Sequence, residues 1–244
     1  FGVLFDAGKP AIEYVDKTSD WTRLHAGLMQ RFPGQLVSFL SFSRDDRTVL
    51  VLARSDRHPG TYYLLDRQDN SLKLVAELQP AIRAEQMAPV RPIEFESRDG
   101  QKLFAFYTAR DASQRPLVVM PHGGPHGIYD RWSFDADAQF LASRGYGVLQ
   151  VNYRGSGGRG QAFMEAGYRE WGGHIQDDIA DGVRKAIAAG LAPADRVCIY
   201  GASFGGYSAL MNPIRYPELY RCAIGYVGVY DLNLMQDIGD IRYR

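Results

Sequence analysis

The order of apolar runs predicts an α/β fold over residues 93–244, preceded by an antiparallel β segment over residues 1–78 and a linker over residues 79–92. Three observations carry this. Apolar runs at 117–121, 146–151, 196–200 and 222–227 are separated by helical stretches, which requires crossovers and parallel pairing. One of those runs, Val197-Cys198-Ile199-Tyr200, passes directly into Gly201-Ala202-Ser203-Phe204-Gly205-Gly206-Tyr207. Ahead of them, residues 35–77 break into short β-like runs divided by turn signals.

At the front, the runs Leu36–Phe42, Thr48–Arg54, Thr61–Asp66 and Ser71–Val75 are strand candidates. Ser43-Arg44-Asp45-Asp46, Asp56–Gly60 and Arg67-Gln68-Asp69-Asn70 supply the turns between them. Four short antiparallel strands in this span match one propeller blade. Phe1–Phe5 and Ala11–Lys17 are read as the end of a preceding blade, so that one to two blades precede the α/β part. A free-standing β-meander is the alternative, and a lone four-stranded sheet buries little core. Gln79–Pro92 carries Pro80, Pro89 and Pro92 without periodicity and reads as the linker.

Ile93–Ser97 and Leu103–Thr108 flank Arg98-Asp99-Gly100-Gln101, and Asp-Gly between alternating runs signals a hairpin. Phe134, Ala138, Leu141 and Ala142 suit an amphipathic helix over 134–143. Ile175, Ile179, Val183 and Ile187 recur every four residues and predict a helix over 175–189 packed on the sheet.

A strand ending in Gly-x-Ser-x-Gly and turning at once into a helix is the nucleophile elbow of an α/β-hydrolase. The serine needs small neighbours where backbone segments close in, and Gly201 and Gly205 supply them. The helix that follows aims free N–H groups at developing negative charge. Upstream, the run Pro116–Met120 leads into Pro121-His122-Gly123-Gly124-Pro125, the position of the loop that donates an N–H to the oxyanion. His122 precedes the serine, and hydrolase order is Ser, acid, His, so it is not read as the general base.

His-Gly-Gly-Pro, Asn152-Tyr153-Arg154-Gly155-Ser156, Trp171-Gly172-Gly173 with Asp177-Asp178, and Gly-x-Ser-x-Gly-Gly-Tyr occur in that order. Together they resemble the prolyl oligopeptidase family of serine peptidases, most closely its acylaminoacyl-peptidase and dipeptidyl-aminopeptidase branch. The likeness is dense from about Pro116 to Asp231 and looser before it. It implies Ser203 as nucleophile, the main-chain N–H groups of Gly124 and Phe204 as oxyanion donors, and a propeller ahead of the hydrolase domain. The residue after the serine is often tyrosine or tryptophan in relatives; here it is Phe204. Some relatives have a tyrosine oxyanion donor where this chain has His122, and the backbone donor is expected instead.

None of the five histidines follows Ser203. Asp231, Asp237 and Asp240 do, but Asp231 sits just past the next strand, too early for the family's acid, and reads as a helix cap. The sequence is therefore expected to be a fragment, truncated at both ends, of a serine peptidase acting on short peptides, lacking its own acid and base. An esterase or thioesterase of the same fold, or a non-catalytic interaction module, are the alternatives.

Arg154 lies at the carboxyl end of a strand, where ligands bind in α/β folds, and either meets substrate or holds its loop through an ion pair; the second is preferred. Asp177 and Asp178 are explained by a helix N-terminus. Cys198 and Cys222 fall in expected core strands and read as buried free thiols. With 28 basic and 28 acidic side chains there is no charge for nucleic acid or an anionic membrane, and no apolar run spans a bilayer. A short peptide is the implied partner, no cofactor or metal is implied, and homo-oligomerisation is left open. A chain beginning at Phe1 does not reveal whether a signal peptide exists.

Overall fold

The structure is a computed structural model that describes residues 2–5 and 8–238. It divides into two compact units, residues 1–90 with 132–139, and residues 91–131 with 140–244.

In the first unit, β1 (Gly2–Phe5) and β2 (Ala11–Tyr14) form an antiparallel pair. Then α1 (Asp20–Arg31) leads into β3 (Leu36–Phe42), β4 (Thr48–Arg54), β5 (Thr61–Asp66) and β6 (Ser71–Glu77). These four strands pair antiparallel in chain order, an arrangement compatible with a propeller blade. Helix α1 was not anticipated from sequence. Its signals are local: Ser19 caps the Trp21 N–H, Asp20 sits in the first turn, and Trp21, Leu24 and Leu28 mark one face. That face packs on Val37, Val49, Val51, Ala53 and Leu65. Within the expected linker, Ala88 and Val90 are buried. The Gln139 amide brackets the Ala88 N–H and C=O at 2.8 Å each, and the Asp56 carboxylate accepts the Val90 N–H at 2.9 Å.

The second unit holds a six-stranded sheet. Its strands are β7 (Val90–Glu96), β8 (Lys102–Thr108), β9 (Leu117–Val119), β10 (Gly147–Asn152), β11 (Val197–Ala202) and β12 (Cys222–Tyr226). Their order across the sheet is β12-β11-β9-β10-β8-β7. β8 runs antiparallel to β10, while β9 pairs parallel with both β10 and β11, and β11 with β12. This is the partial mixed sheet expected of an α/β-hydrolase. Helices α2 (Ala136–Ser143), α3 (Gln161–Glu165), α4 (His174–Ala188), α5 (Phe204–Arg215) and α6 (Leu232–Ile238) make the connections. Ile175, Ile179 and Val183 of α4 are fully buried, as their spacing predicts, against a core that includes Leu117, Val119, Leu149, Val197 and Ile199.

Along β12 every residue but Gly225 is exposed in this chain, and among the described residues the strand has a neighbour on one side only. One sequence expectation is corrected here: the cysteines are not buried free thiols. Cys198 lies opposite Cys222 in the β11–β12 register and the two form a disulfide. Thiol titration of the unreduced protein is expected to find neither sulfur, and both after reduction. Closing a loop of 24 residues contributes about 3 kcal/mol, so reduction should lower Tm on the order of 10 °C. Two titratable thiols before reduction would refute the pairing.

Candidate active site

Buried Val197 and Ile199 carry β11 through the sheet between β9 and β12, and the chain turns at its end. Ser203 sits at φ 56° and ψ −124°, a conformation side-chain-bearing residues rarely adopt, and α5 begins at the next residue. The surroundings hold it there. Its N–H donates to the Tyr226 carbonyl at 3.1 Å, and its own carbonyl accepts from Gly206 N–H at 3.0 Å and Tyr207 N–H at 3.1 Å. A Cβ on Gly201 would strike the Gly205 carbonyl, and one on Gly205 would strike the Pro121 carbonyl, so the turn closes only with glycine at both places. Ser203 is exposed, whereas the Phe204 ring is buried against Tyr153, Trp171 and Tyr207. Buried amides fasten α5 to α4: the Gln176 amide donates to Ser208 Oγ at 3.0 Å, and the Asn212 amide to the Gln176 carbonyl at 2.8 Å.

The chain leaves β9 to form β10 on one side and later returns to form β11 on the other. Such a switch point opens a crevice at the strands' carboxyl ends. The loop after β9 fills its rim, and a Cβ built on Gly123 would lie 3.5 Å from Ser203 Cβ and 3.9 Å from its Oγ. Gly124 has φ 119°, and a Cβ there would stand 3.2 Å from the His126 nitrogen and from Ile128.

His122 is a strut of this loop. Its Nδ1–H donates to the Gly123 carbonyl at 2.7 Å, which leaves Nε2 to accept from Ser156 Oγ at 2.8 Å. The Tyr153 hydroxyl donates to the His122 carbonyl at 2.7 Å, and the two rings stack with centroids 4.3 Å apart. Burial lowers its pKa to about 4, so the ring is neutral at pH 7 with both nitrogens engaged. Tyr153 and Ser156 were visible only as letters of a motif; no local signal marks them as partners of His122.

Arg154 and the neighbouring acids form ion pairs. Asp178, fully buried on α4, accepts from the Arg154 main-chain N–H and from Nε at 2.8 Å each, and from Nη2 at 2.7 Å. Asp99, read from sequence only as a turn residue, takes Nη1 at 2.8 Å and Nη2 at 2.9 Å. Asp177 accepts from Arg215 at 2.7 Å and from the Tyr216 hydroxyl. The helix-terminus account of these two aspartates is therefore incomplete. Asp231 is a cap, accepting from the Asn233 and Leu234 N–H groups at 3.0 Å each; Asp240 lies outside the described residues. Among the described residues no His, Cys, Asp and Glu cluster is arranged to hold a metal ion, and no helix is long and apolar enough to cross a membrane.

The arrangement presents an exposed hydroxyl beside a glycine loop. The Phe204 N–H opens a helix and has no intrahelical acceptor. A hydroxyl and a backbone donor so placed are two of the parts that nucleophilic addition to a carbonyl uses; a base is the third.

The prolyl oligopeptidase family model matches residues 132–244. The dipeptidyl aminopeptidase BIII of Pseudoxanthomonas mexicana is 35% identical over 213 residues, covering 83% of this chain and 31% of that protein. The acylamino-acid-releasing enzyme 1 of Oryza sativa subsp. japonica is 34% identical over 146 residues, covering 59% of this chain and 19% of that protein. A solved puromycin hydrolase superposes with a TM-score of 0.69 at 26% identity, covering 78% of this chain and 30% of that one. The chain thus spans about a third or less of the length of the relatives it matches. The ordered motifs, the elbow turn and the sheet order agree with these likenesses, and residues 132–244 match the prolyl oligopeptidase family.

Proposed function

We propose that the longer protein of which this chain is part is a serine peptidase acting on short peptides, with Ser203 as its nucleophile. The observation that carries the reading is Ser203 exposed at φ 56° on a turn that only glycines on both sides permit. Ser203 Oγ attacks the scissile carbonyl and gives up its proton to a base. The Phe204 and Gly124 N–H groups receive the oxyanion. The proton passes to the leaving amine, and water then releases the acyl group from Ser203. No histidine follows Ser203 in this sequence, and both nitrogens of His122 are engaged, one by the Gly123 carbonyl and the other by Ser156 Oγ. In the chain order of hydrolases the acid and the histidine follow the nucleophile, and the proposal takes that order for the longer protein. Residues 1–78 are read as the end of a propeller. The relatives' names favour a dipeptidyl- or acylaminoacyl-releasing exopeptidase over an esterase.

In the longer protein, an organophosphonate probe should label Ser203, and Ser203→Ala should abolish labelling and cut turnover on the order of 10⁶-fold. Near wild-type amide turnover by that variant would place the nucleophile elsewhere.

The oxyanion assignment predicts a contrast. Gly124→Val adds a branched side chain at φ 119° against Ile128, and should lower turnover by about 10²–10³-fold. Phe204→Leu keeps the N–H and should alter turnover little, while the lost ring packing lowers stability. Small and equal effects on turnover from both would remove the loop from the site.

Residues 1–244 expressed alone should show no appreciable amidase activity, since residual catalysis without a triad is ~10³–10⁴ over water. Vigorous hydrolysis by this chain, lost in His122→Ala, would overturn the placement of the base.

A further inference from the structure

Arg154 points to a layer of the site that the nucleophile and oxyanion donors do not include. It lies two residues after β10, on a different segment from the loop that carries Gly124, yet it is only 7% exposed and two carboxylates grip it. Four of its guanidinium N–H groups are taken, by Asp178 through Nε and Nη2 and by Asp99 through Nη1 and Nη2. A guanidinium has five N–H donors, so one is left, and the buried fork is not presented to a substrate carboxylate or carbonyl. Asp178 also accepts the Arg154 main-chain N–H, which ties the backbone, and not only the side chain, to α4.

The residues on either side of this anchored point bear the oxyanion loop. Tyr153 donates its hydroxyl to the His122 carbonyl at 2.7 Å. The Gly155 carbonyl accepts the Gly127 N–H at 3.1 Å, and Ser156 Oγ meets His122 Nε2 at 2.8 Å. The Gly157 N–H donates to the Ile128 carbonyl at 3.0 Å. At the start of the segment, the fully buried Asn152 amide brackets Asp130, accepting its N–H at 2.8 Å and donating to its carbonyl at 3.0 Å. Every one of these bonds runs between residues 152–157 and residues 122–130. Gly124 lies between the first and second of those contacts along its loop.

We infer that Arg154, held by Asp178 and Asp99, is a positioning residue: it sets residues 152–157 as the template on which the oxyanion loop is laid, and so places the Gly124 N–H against the carbonyl at Ser203. This rests on the proposed nucleophile and oxyanion donors. Asp178 is the inner jaw, buried and bonded to backbone and side chain alike. Asp99 is the outer jaw, at the partly exposed tip of the β7–β8 turn. Only an arginine serves, because the grip uses a planar fork that bonds two carboxylates at once.

The test uses the full-length protein and a phosphonate titration of Ser203, so that rates are expressed per functional nucleophile. Arg154→Lys keeps the charge and loses the fork; kcat should fall on the order of 10²-fold, the scale of a small displacement in a catalytic geometry, with KM nearly unmoved. Affinity for a peptide aldehyde, which binds as a tetrahedral adduct, should fall in parallel with kcat/KM. Asp99→Asn opens the outer jaw without leaving Asp178 unpaired, folds even if Arg154→Lys does not, and should show the same split at smaller amplitude. Arg98→Gln breaks the ion pairs to Asp181 from the same turn, without touching Arg154, and should leave kcat per titrated site unchanged. Unchanged kcat and aldehyde affinity in folded Asp99→Asn and Arg154→Lys would overturn the inference while leaving the nucleophile intact. An equal fall in Arg98→Gln would overturn it in favour of a purely structural role for the turn. Absence of phosphonate labelling in the wild type would instead remove the functional reading beneath it.

Discussion

Everything around the site follows from the crowding of backbone at Ser203. Holding a residue with a side chain at φ 56° costs on the order of 1–3 kcal/mol, and the structure meets that cost by packing main chain against main chain. The carbonyls of Pro121, Gly205 and Tyr226 all converge on the turn, from the loop after β9, from α5 and from the end of β12. Three segments distant in sequence therefore share one small volume, and glycines occupy the points of nearest approach. The hydroxyl is left exposed because the turn itself is the outermost point of that packing.

The polar chemistry around the turn is arranged so that groups other than Ser203 are already occupied. His122 is neutral and bonded through both ring nitrogens, and two carboxylates take four of the five guanidinium N–H groups of Arg154. A buried ion pair of this kind adds little net stability over apolar packing, but breaking it leaves an uncompensated charge in the interior. Such a pair is better suited to specifying where a loop sits than to strengthening the fold. Its position fits that role, since residues 152–157, which it anchors, hydrogen-bond residues 122–130 of the glycine loop. The disulfide differs in kind. It ties the strand that ends in the elbow to the neighbour whose last carbonyl receives the Ser203 N–H, and so reinforces the same turn from behind.

Much of the fold was legible because its signals are local. β3, β4 and β5 begin and end where alternation gives way to Ser-Arg-Asp-Asp, Asp-to-Gly and Arg-Gln-Asp-Asn turns. The four-residue spacing of Ile175, Ile179 and Val183 marks the inward face of α4 without help from the rest of the chain. Helix α1 was less legible: Thr22 and His25 are buried on its inward face and interrupt the stripe of Trp21, Leu24 and Leu28, although its cap signals are local.

By itself the sequence determined the strand-to-helix turn at Ser203, the glycines that allow it, the hairpin around Asp99-Gly100, the periodic helices, and the exclusion of His122 as base by chain order. These depend on residues within a few positions of one another, where backbone sterics and side-chain period act directly. Tertiary structure alone decided that Cys198 meets Cys222, that Tyr153 and Ser156 seat His122, and that Asp99 and Asp178 close on one arginine. Each of those pairings joins residues 24 to 55 positions apart. Nothing in the local chemistry of a cysteine, tyrosine or aspartate names its partner; strand order and register bring them within bonding distance.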